Sequence, residues 1–551
     1  MMTGPATEYI VLSATGATVS KTRQAISAAG GTVIRENDSV GVSTIITTNP
    51  GFIHAVGLQP ALAGAAHNRP IGQTASAGGR GGNGDVERLT ADDIAALTAS
   101  KATKQTASHE PDPDGDVDPE EPLASLQWDM KMIHATAQGS YEEQPGDKRV
   151  LVGVIDTGID GSHPDIAPNF NRELSRNFTV DIPSIDGPCA DEPDQSCNDA
   201  ADVDEGAHGT HVAGTIAAAA NGIGIAGVAP AVSLVNLRAG QDSGFFFLQP
   251  TIDALTYAGD NGIDVVNMSF YTDPWLFNCA NNPADSPEQQ LEQRTVIAAT
   301  NRALDYAHAR GVTLIAALGN EHTDLGNPTS DETSPDYGAD PHPRTIDNTC
   351  LSMPSEGNHV LNVTALGPSG SKADYSNYGV EQTDVSAPGG FFRDFVGTPE
   401  YKSVGNLVLS AYPEYLAKTE DVLNPDGTPK VPNVVQDCQN GVCAYYQYFQ
   451  GTSMAAPHAV GVAALIISRY GRKDRAHPGG LIMNPDKVER LLRRSATPTP
   501  CPDPPLRSYA AEERTPDFDA LCVGDAHSNG FYGSGIVDAL RAVSGHNDNR
   551  T

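Results

Sequence analysis

The chain has 551 residues, of which 39% are hydrophobic and 19% are charged, a composition typical of a folded globular protein. Its 35 basic and 69 acidic residues give a formal net charge of −34, which argues against a nucleic-acid partner because phosphate binding needs a basic surface. No apolar run reaches the ~18 residues that a membrane-spanning helix needs, so we expect no membrane span.

Residues 1–72 are predicted to form a small α+β domain. A strand is expected at 8–13, a helix ending in glycine at 18–31, and two short strands within 32–49. The run PGFIHAVGLQPALAGAAH (50–67) is predicted to be helical. The resulting order, β-α-β-β-α, fits a small α+β sandwich.

Residues 73–122 are predicted to be a flexible linker. The runs GQTASAGGRGGNGD and HEPDPDGDVDPEEP are rich in glycine or in acidic residues and proline, and such segments cannot bury enough apolar surface to fold. A short helix is expected inside this linker, in LTADDIAALTAS.

Residues 123–545 are predicted to form an α/β domain with a doubly wound, mostly parallel sheet and helices on both faces, followed by a tail at 546–551. Continuous apolar runs such as RVLVGVIDTG, IDVVNMSF, GVTLIAALGN and HVLNVTALG are typical of strands buried on both faces. Helical runs such as HVAGTIAAAA and SMAAPHAVGVAALIISRYG lie between them. Functional residues are therefore expected at the carboxyl ends of the strands.

Eight cysteines, none in a CxxC pattern, indicate disulfide bonds and a secreted, extracellular protein. Eight cysteines allow on the order of 100 pairings, and sequence alone does not choose among them. We take sequential pairing as the working guess: Cys189 with Cys197, Cys279 with Cys350, Cys438 with Cys443, and Cys501 with Cys522. The opening residues lack the pattern of a signal peptide, which leaves the export route undetermined.

Three polar residues are expected at the functional edge of the sheet. Asp156 closes LVGVIDTG, His208 opens a helix after an acidic loop, and Ser453 stands where another helix begins. A serine nucleophile needs a histidine base that a buried carboxylate orients. Helix amides beside Ser453 and the side chain of Asn320 are placed to stabilise an oxyanion.

The segments DTGIDGSHPD (156–165), HGTHVAGTIAA (208–218), GVAP, AALGNE (316–321), SAPGG, GTSMAAPHAVGVAAL (451–465) and YGSGIVDA (532–539) resemble the signature segments of subtilisin-like serine proteases, in the order of that family. The resemblance implies a serine endopeptidase with Asp156, His208 and Ser453 as its triad and Asn320 in the oxyanion hole. The amino-terminal domain resembles the family's inhibitory propeptide. The expected partners are a protein or peptide substrate and the protein's own propeptide.

The same resemblance implies that Ser269, Phe270, Tyr271 and Glu321 bind the substrate. Many relatives have a Ser-Leu-Gly-Gly segment after the strand VVNMS, where this chain has Phe270, Tyr271, Thr272 and Asp273, so we expect a narrowed or reshaped pocket and restricted cleavage. A further interpretation is a subsite for basic side chains at Asp202, Asp204 and Glu205, against the simpler one of a solvated acidic loop.

The pair His208 and His211 has i, i+3 spacing without an intervening glutamate, which does not match a zinc protease helix. We therefore predict a catalytic His208 and a packed, hydrogen-bonded His211. The run NGIGIAG (221–227) contains GxGxxG but follows a helix rather than a strand, so nucleotide binding is not favoured. The resemblance instead implies structural calcium, with these expected ligands: Asp165, Asn221 and the carbonyls of Ala219, Ile223 and Ile225. A metal-free tight turn is the alternative.

Two rival function classes remain beside the serine endopeptidase, and a third, an esterase, lacks support. A dedicated processing peptidase or peptide ligase would fit the Phe270–Tyr271 departure. A catalytically dead binding scaffold conflicts with an intact set of catalytic residues, and an esterase of the α/β-hydrolase type lacks the GxSxG motif.

Overall fold

A computed structural model describes residues 6–68, 84–102, 121–191, 195–335 and 342–545. Most of the predicted linker and the predicted tail at 546–551 lie outside these residues. The linker helix is present as α4 (Ala91–Ala102), and a short helix, α3 (Gly84–Glu87), precedes it. No helix in the described part of the chain is both long and apolar enough to cross a membrane.

The amino-terminal domain is a four-stranded antiparallel sheet with two helices. Its strands have the order β2-β3-β1-β4. Thr18 caps the first helix, and Gly30, in the left-handed conformation, ends it. The elements up to residue 102 are β1 Thr7–Ser13, α1 Val19–Ala29, β2 Thr32–Asn37, β3 Val42–Thr47, α2 Phe52–Gly57, β4 Leu62–His67, α3 Gly84–Glu87 and α4 Ala91–Ala102.

The rest of the chain is built around a seven-stranded parallel sheet with the order β15-β14-β10-β8-β5-β7-β6. This confirms the predicted fold class. The strands are β5 Leu151–Ile155, β6 Arg176–Asn177, β7 Ser233–Arg238, β8 Val265–Met268, β9 Asn278–Cys279, β10 Thr313–Ala317, β11 Ser330–Asp331, β12 Arg344–Thr345, β13 Cys350–Leu351, β14 Val360–Leu366, β15 Val385–Pro388, β16 Val408–Tyr412, β17 Val434–Gln439, β18 Val442–Phe449, β19 Arg472–Lys473, β20 Leu481–Ile482, β21 Leu506–Arg507 and β22 Ala520–Leu521.

Helices cover both faces of this sheet. Helices α7 and α11 share one core with it, and α8 and α9 share the other. A capping box between Ser286 and Gln289, with Pro287 at the first position, begins the long helix α9. The helices are α5 Trp128–Met132, α6 Ser140–Glu143, α7 His208–Ala217, α8 Leu248–Asp260, α9 Pro287–Ala309, α10 Glu414–Thr419, α11 Thr452–Tyr470, α12 Pro485–Ser495 and α13 Ala539–Val543.

The sheet of the amino-terminal domain packs against α8 and α9. Polar contacts border this interface: Asn37 Nδ2 donates to Asp253 Oδ1 (2.8 Å), and His67 Nδ1 lies 2.7 Å from Glu292 Oε1. Ile10 and Leu12 of β1 belong to the same core as these two helices. The first domain is thus seated on the second by apolar as well as polar contacts.

The helix predicted over 50–67 is wrong in its second half. Only Phe52–Gly57 is helical, and Leu62–His67 is the edge strand β4, paired with β1. The small residues of this strand, Gly64 among them, permit close packing on α9. A Cβ on Gly64 would lie 2.1 Å from Thr295 Oγ1.

Four disulfide bonds have the sequential pairing expected from the sequence. They join Cys189 to Cys197, Cys279 to Cys350, Cys438 to Cys443, and Cys501 to Cys522. The second bond ties β9 to β13 and the third closes the turn between β17 and β18. Cross-links of this kind are typical of proteins that work in oxidising surroundings.

Candidate active site

Asp156, His208 and Ser453 come to one edge of the sheet, as predicted. Asp156 directly follows β5, His208 is the first residue of α7, and Ser453 is the second residue of α11. His208 Nδ1 lies 2.7 Å from Asp156 Oδ1, which also accepts the Thr157 N–H (2.8 Å). Asp156 is fully buried, so its carboxylate is held in one position against the imidazole.

Asp204 organises the loop that leads to His208. It is fully buried and accepts hydrogen bonds from the Thr157 hydroxyl, from the N–H groups of Gly206 and Ala207, and from both the N–H and the hydroxyl of Thr210. The expectation of a solvated acidic loop or a substrate subsite is therefore wrong for Asp204, because the first N–H groups of α7 need an acceptor. Asp202 forms an ion pair with Arg172.

Ser453 and Asn320 lie side by side. The Ser453 hydroxyl donates to the carbonyl of Ser269 (3.4 Å), and the Ser269 hydroxyl donates to the carbonyl of Ser453 (3.2 Å). Asn320 Oδ1 accepts from the N–H (2.9 Å) and the hydroxyl (2.8 Å) of Thr452. Thr452 thus orients the amide so that Nδ2 is left to donate beside Ser453. The sequence motif contains Thr452, but its role was not inferred from it.

An acidic residue from the predicted linker occupies the space between these groups. Glu87, at the end of α3, places Oε2 3.3 Å from His208 Nε2 and accepts from Asn320 Nδ2 through Oε1 (3.2 Å). Gln450 holds the backbone here, because its N–H donates to the Glu87 carbonyl (3.1 Å) and its Nε2 to the Val86 carbonyl (2.9 Å). No sequence signal separates Glu87 from the other acidic linker residues.

The environment of His208 favours the imidazolium. Burial disfavours the charged ring, but the nearby carboxylates of Asp156 and Glu87 outweigh burial and raise the pKa of His208 well above its usual value. Among the described residues no hydrogen bond joins Ser453 to His208, since Nε2 faces Glu87 instead. In this arrangement the base contacts Glu87, and the nucleophile donates to the Ser269 carbonyl.

Three of the four predicted substrate residues line one small pocket, whereas Ser269 contacts Ser453. The walls of the pocket include Phe270, Tyr271, Leu276 and Glu321. Phe270 is buried and stacks on Phe246 with 4.1 Å between ring centroids, so it serves the core more than the pocket. Glu321 Oε2 accepts from Asn377 Nδ2 (2.6 Å), and burial raises the pKa of Glu321 to about 7.

His211 is buried and makes no hydrogen bond to the catalytic residues among the described residues. Its Nε2 faces the carbonyls of Gln447 (3.0 Å) and Val408 (3.2 Å), and its ring stacks on Phe449 at 4.5 Å. Burial lowers the pKa of His211 to about 3, so the ring is neutral. This is the packed, hydrogen-bonded neighbour expected from the sequence.

The expected calcium ligands gather around one loop, and protein donors already satisfy several of its polar atoms. Asp165 Oδ2 accepts from the Tyr446 hydroxyl (2.7 Å) and the Ile225 N–H (3.1 Å), and Asn221 Oδ1 accepts from the Ile223 N–H (3.2 Å). A Cβ on Gly224 would lie 1.7 Å from the Tyr446 hydroxyl oxygen, so this hydroxyl fills the loop.

Backbone N–H and carbonyl groups of the same loop also form hydrogen bonds within the protein. The N–H groups of Gly222 and Gly224 donate to Glu121 (2.8 Å) and Asp437 (2.9 Å), and the Gly224 carbonyl accepts from the Leu123 N–H (2.7 Å). Calcium needs six to eight oxygens facing one point. The Tyr446 hydroxyl and the inward N–H groups satisfy Asp165 Oδ2, Glu121 and Asp437, whereas Asp165 Oδ1 is buried and has no hydrogen-bond partner among the described residues.

Comparison with known proteins identifies the family to which this chain belongs. A sequence profile of the Subtilase family matches residues 147–535. The nisin leader peptide-processing serine protease of Lactococcus lactis is 26% identical over 368 residues, which are 66% of this chain and 46% of that protein; the chain thus spans less than half of that relative. Subtilisin DY of Bacillus licheniformis is 28% identical over 321 residues, 58% of this chain and 77% of the other.

Solved structures support the same fold. The epidermin leader peptide processing serine protease of Staphylococcus aureus matches with a TM-score of 0.62 at 20% identity, covering all of both chains. Fervidolysin of Fervidobacterium pennivorans, a keratinolytic enzyme related to subtilisin, matches with a TM-score of 0.55 at 20% identity, covering all of this chain and 62% of the other. The profile matches well over half of the residues, and the chain belongs to the subtilase family of serine endopeptidases.

Proposed function

We propose that the protein hydrolyses peptide bonds through an Asp156-His208-Ser453 triad and an acyl-enzyme intermediate. The observation that carries this proposal is the 2.7 Å contact between His208 Nδ1 and the buried Asp156 at the edge where Ser453 begins α11. Ser453 attacks the substrate carbonyl, His208 accepts its proton and returns it to the leaving amine, and Asp156 orients the ring and stabilises the imidazolium.

Asn320 and the N–H groups at the start of α11 stabilise the oxyanion. Thr452 holds the Asn320 amide in place before the reaction, so no reorientation is needed when charge develops on the substrate oxygen. Glu87 now accepts from Asn320 Nδ2, which supports the view that this donor serves negatively charged oxygen.

A fluorophosphonate probe, which reacts with activated serines, tests the triad. Mass spectrometry should locate the adduct on Ser453 after the cleft has been freed by Glu87→Ala. Ser453→Ala should remove both labelling and peptide hydrolysis, with turnover falling by ~10⁶, the size of the loss when subtilisin itself is deprived of its nucleophile. Ser369→Ala, at an exposed serine far along the chain, serves as the control. Labelling elsewhere, or activity retained by Ser453→Ala, would contradict the triad.

We further propose that the chain is an autoinhibited zymogen. Residues 1–72 act as a propeptide that is seated on α8 and α9, and residues 73–122 act as the linker that is cut to release it. The position of Glu87 between His208 and Asn320 supports inhibition in the uncut chain. Intact-mass measurement tests this, since Ser453→Ala should remain full length where the active chain is shortened.

The crowded pocket favours selective processing over general digestion. Tyr271 and Leu276 restrict the space, and Glu321 provides a carboxyl group at its wall. Two of the relatives above are leader peptide-processing proteases by name, which supports a processing role for this chain too. The four disulfides support secretion. Subtilases commonly bind structural calcium, and calcium at this loop stays a prediction, since Tyr446 occupies one oxygen of Asp165 while the other is buried without a hydrogen-bond partner among the described residues.

A further inference from the structure

The residue after Glu87 fills a second site beside the catalytic residues. Arg88 Nη1 lies 3.0 Å from Glu420 Oε1, and Arg88 Nη2 donates to the Gly206 carbonyl (3.0 Å). The guanidinium also lies over the ring of Phe449, 5.2 Å from its centroid. We call the site formed by Gly206, Glu420 and Phe449 the guanidinium pocket.

Each wall of the guanidinium pocket is held by contacts that do not involve Arg88. The Tyr412 hydroxyl donates to Glu420 Oε2, which leaves Oε1 for a ligand. Phe449 stacks on the buried ring of His211, and the Gly206 N–H donates to Asp204 Oδ1 (3.1 Å). A site whose groups are already oriented loses little entropy when it binds a cation.

The guanidinium pocket also adjoins the path of the substrate. Gly206 lies just before His208, and Phe449 lies just before Gln450, whose N–H donates to the Glu87 carbonyl (3.1 Å). A substrate that replaces this segment at the catalytic residues meets the same Gln450 donor. The side chain of the next substrate residue along the chain then lies in the position that Arg88 occupies in the uncut chain.

We propose that the guanidinium pocket is a specificity subsite for a basic side chain of the substrate, which Arg88 occupies in the uncut chain. This rests on the proposed peptidase function and adds its substrate class: peptides with an arginine near the scissile bond. Glu420 supplies the charge, Gly206 a carbonyl acceptor and Phe449 a cation–π surface. The net charge of −34 favours the approach of such cationic peptides.

The test uses the full chain with Glu87→Ala and Arg88→Ala, which vacates both sites. Peptides of one alanine-rich sequence carry arginine, or its neutral isostere citrulline, at each of the positions flanking the scissile bond in turn. We expect one position at which arginine raises kcat/KM about 5- to 10-fold over citrulline, the range for a partly exposed ion pair with a cation–π contact. Glu420→Gln should remove that preference, because it should lower kcat/KM more for the arginine peptide than for the citrulline peptide. Glu414→Gln, on the neighbouring helix α10, is the matched control.

Two results overturn the proposal: no position prefers arginine, or the preference survives Glu420→Gln. Equal losses for arginine and citrulline peptides would assign Glu420 to the general shape of the cleft and overturn it as well. If no peptide is cut, the proposed peptidase function fails, and binding then decides on the pocket. In that case Ser453→Ala in the vacated chain is titrated with fluorescent arginine and citrulline peptides. A Glu420-dependent difference in Kd supports the pocket, and equal Kd values refute it.

Discussion

Replacing Glu87 by alanine should activate the uncut chain. Glu87 is 5% exposed, and its carboxylate makes two contacts with the catalytic residues, at 3.3 Å to His208 Nε2 and 3.2 Å to Asn320 Nδ2. Hydrogen bonds to charged groups contribute about 1.5–3 kcal/mol each, but these two are long and the buried carboxylate has lost its hydration. If Glu87 contributes a net of about 1–2 kcal/mol, the state in which it contacts His208 and Asn320 is favoured about 5- to 30-fold over the state in which the site is free.

The measurement is the initial rate of hydrolysis of a short fluorogenic peptide by chains that intact mass shows to be uncut. Glu87→Ala should raise kcat/KM about 5- to 30-fold, in line with the same free energy. Asp92→Asn, at an exposed acidic residue of α4, should leave the rate unchanged.

The pH profile provides an independent check. His208 must be neutral to act as a base, and the carboxylates of Asp156 and Glu87 raise its pKa. The contact of Glu87 with the imidazolium is therefore present below the pKa of His208 and is lost as the pH rises through it. In Glu87→Ala the acidic limb of the profile should move to lower pH. An unchanged rate together with an unmoved limb would refute the assignment of Glu87 as the inhibitory group.

Asn320→Leu in the activated chain should lower kcat by ~10²–10³ with KM nearly unchanged, because the donor acts on charge that develops only in the transition state; a higher KM at unchanged kcat would assign Asn320 to ground-state binding. Tyr446→Phe should lower the free energy of unfolding by about 1–3 kcal/mol, since buried Asp165 loses its donor. A fall in the Tm of the wild-type chain on chelation would support the calcium prediction, and an unchanged Tm would remove it. Tyr271→Gly should shift the ratio of kcat/KM for Phe over Arg peptides by about 10-fold or more toward Phe, on the order expected for one enlarged apolar pocket. An unaltered ratio would remove Tyr271 from the determinants of specificity.

The sequence alone predicted those strands and site positions that depend only on the residues of one short segment. Apolar runs such as Leu151–Ile155 and Thr313–Ala317 are strands because residues buried on both faces must be continuously apolar. Asp156 directly follows a strand, and His208 and Ser453 lie at the beginnings of helices. The parallel sheet brings these ends together at one edge. The four disulfides have the sequential pairing that was guessed, but only the structure selects it among the possible pairings.

Tertiary contacts decided the features that no local pattern contains. Residues 62–67 have a helix-like composition, yet they form a strand because β1 offers a free edge and α9 needs small residues against it. Glu87 is one acidic linker residue among several until the fold brings it to His208, which is far away in the sequence. Tyr446 fills the loop at Asp165 across an even longer separation. Sequence periodicity records which face of an element is buried, whereas the partner that buries it is chosen by the packing of the whole chain.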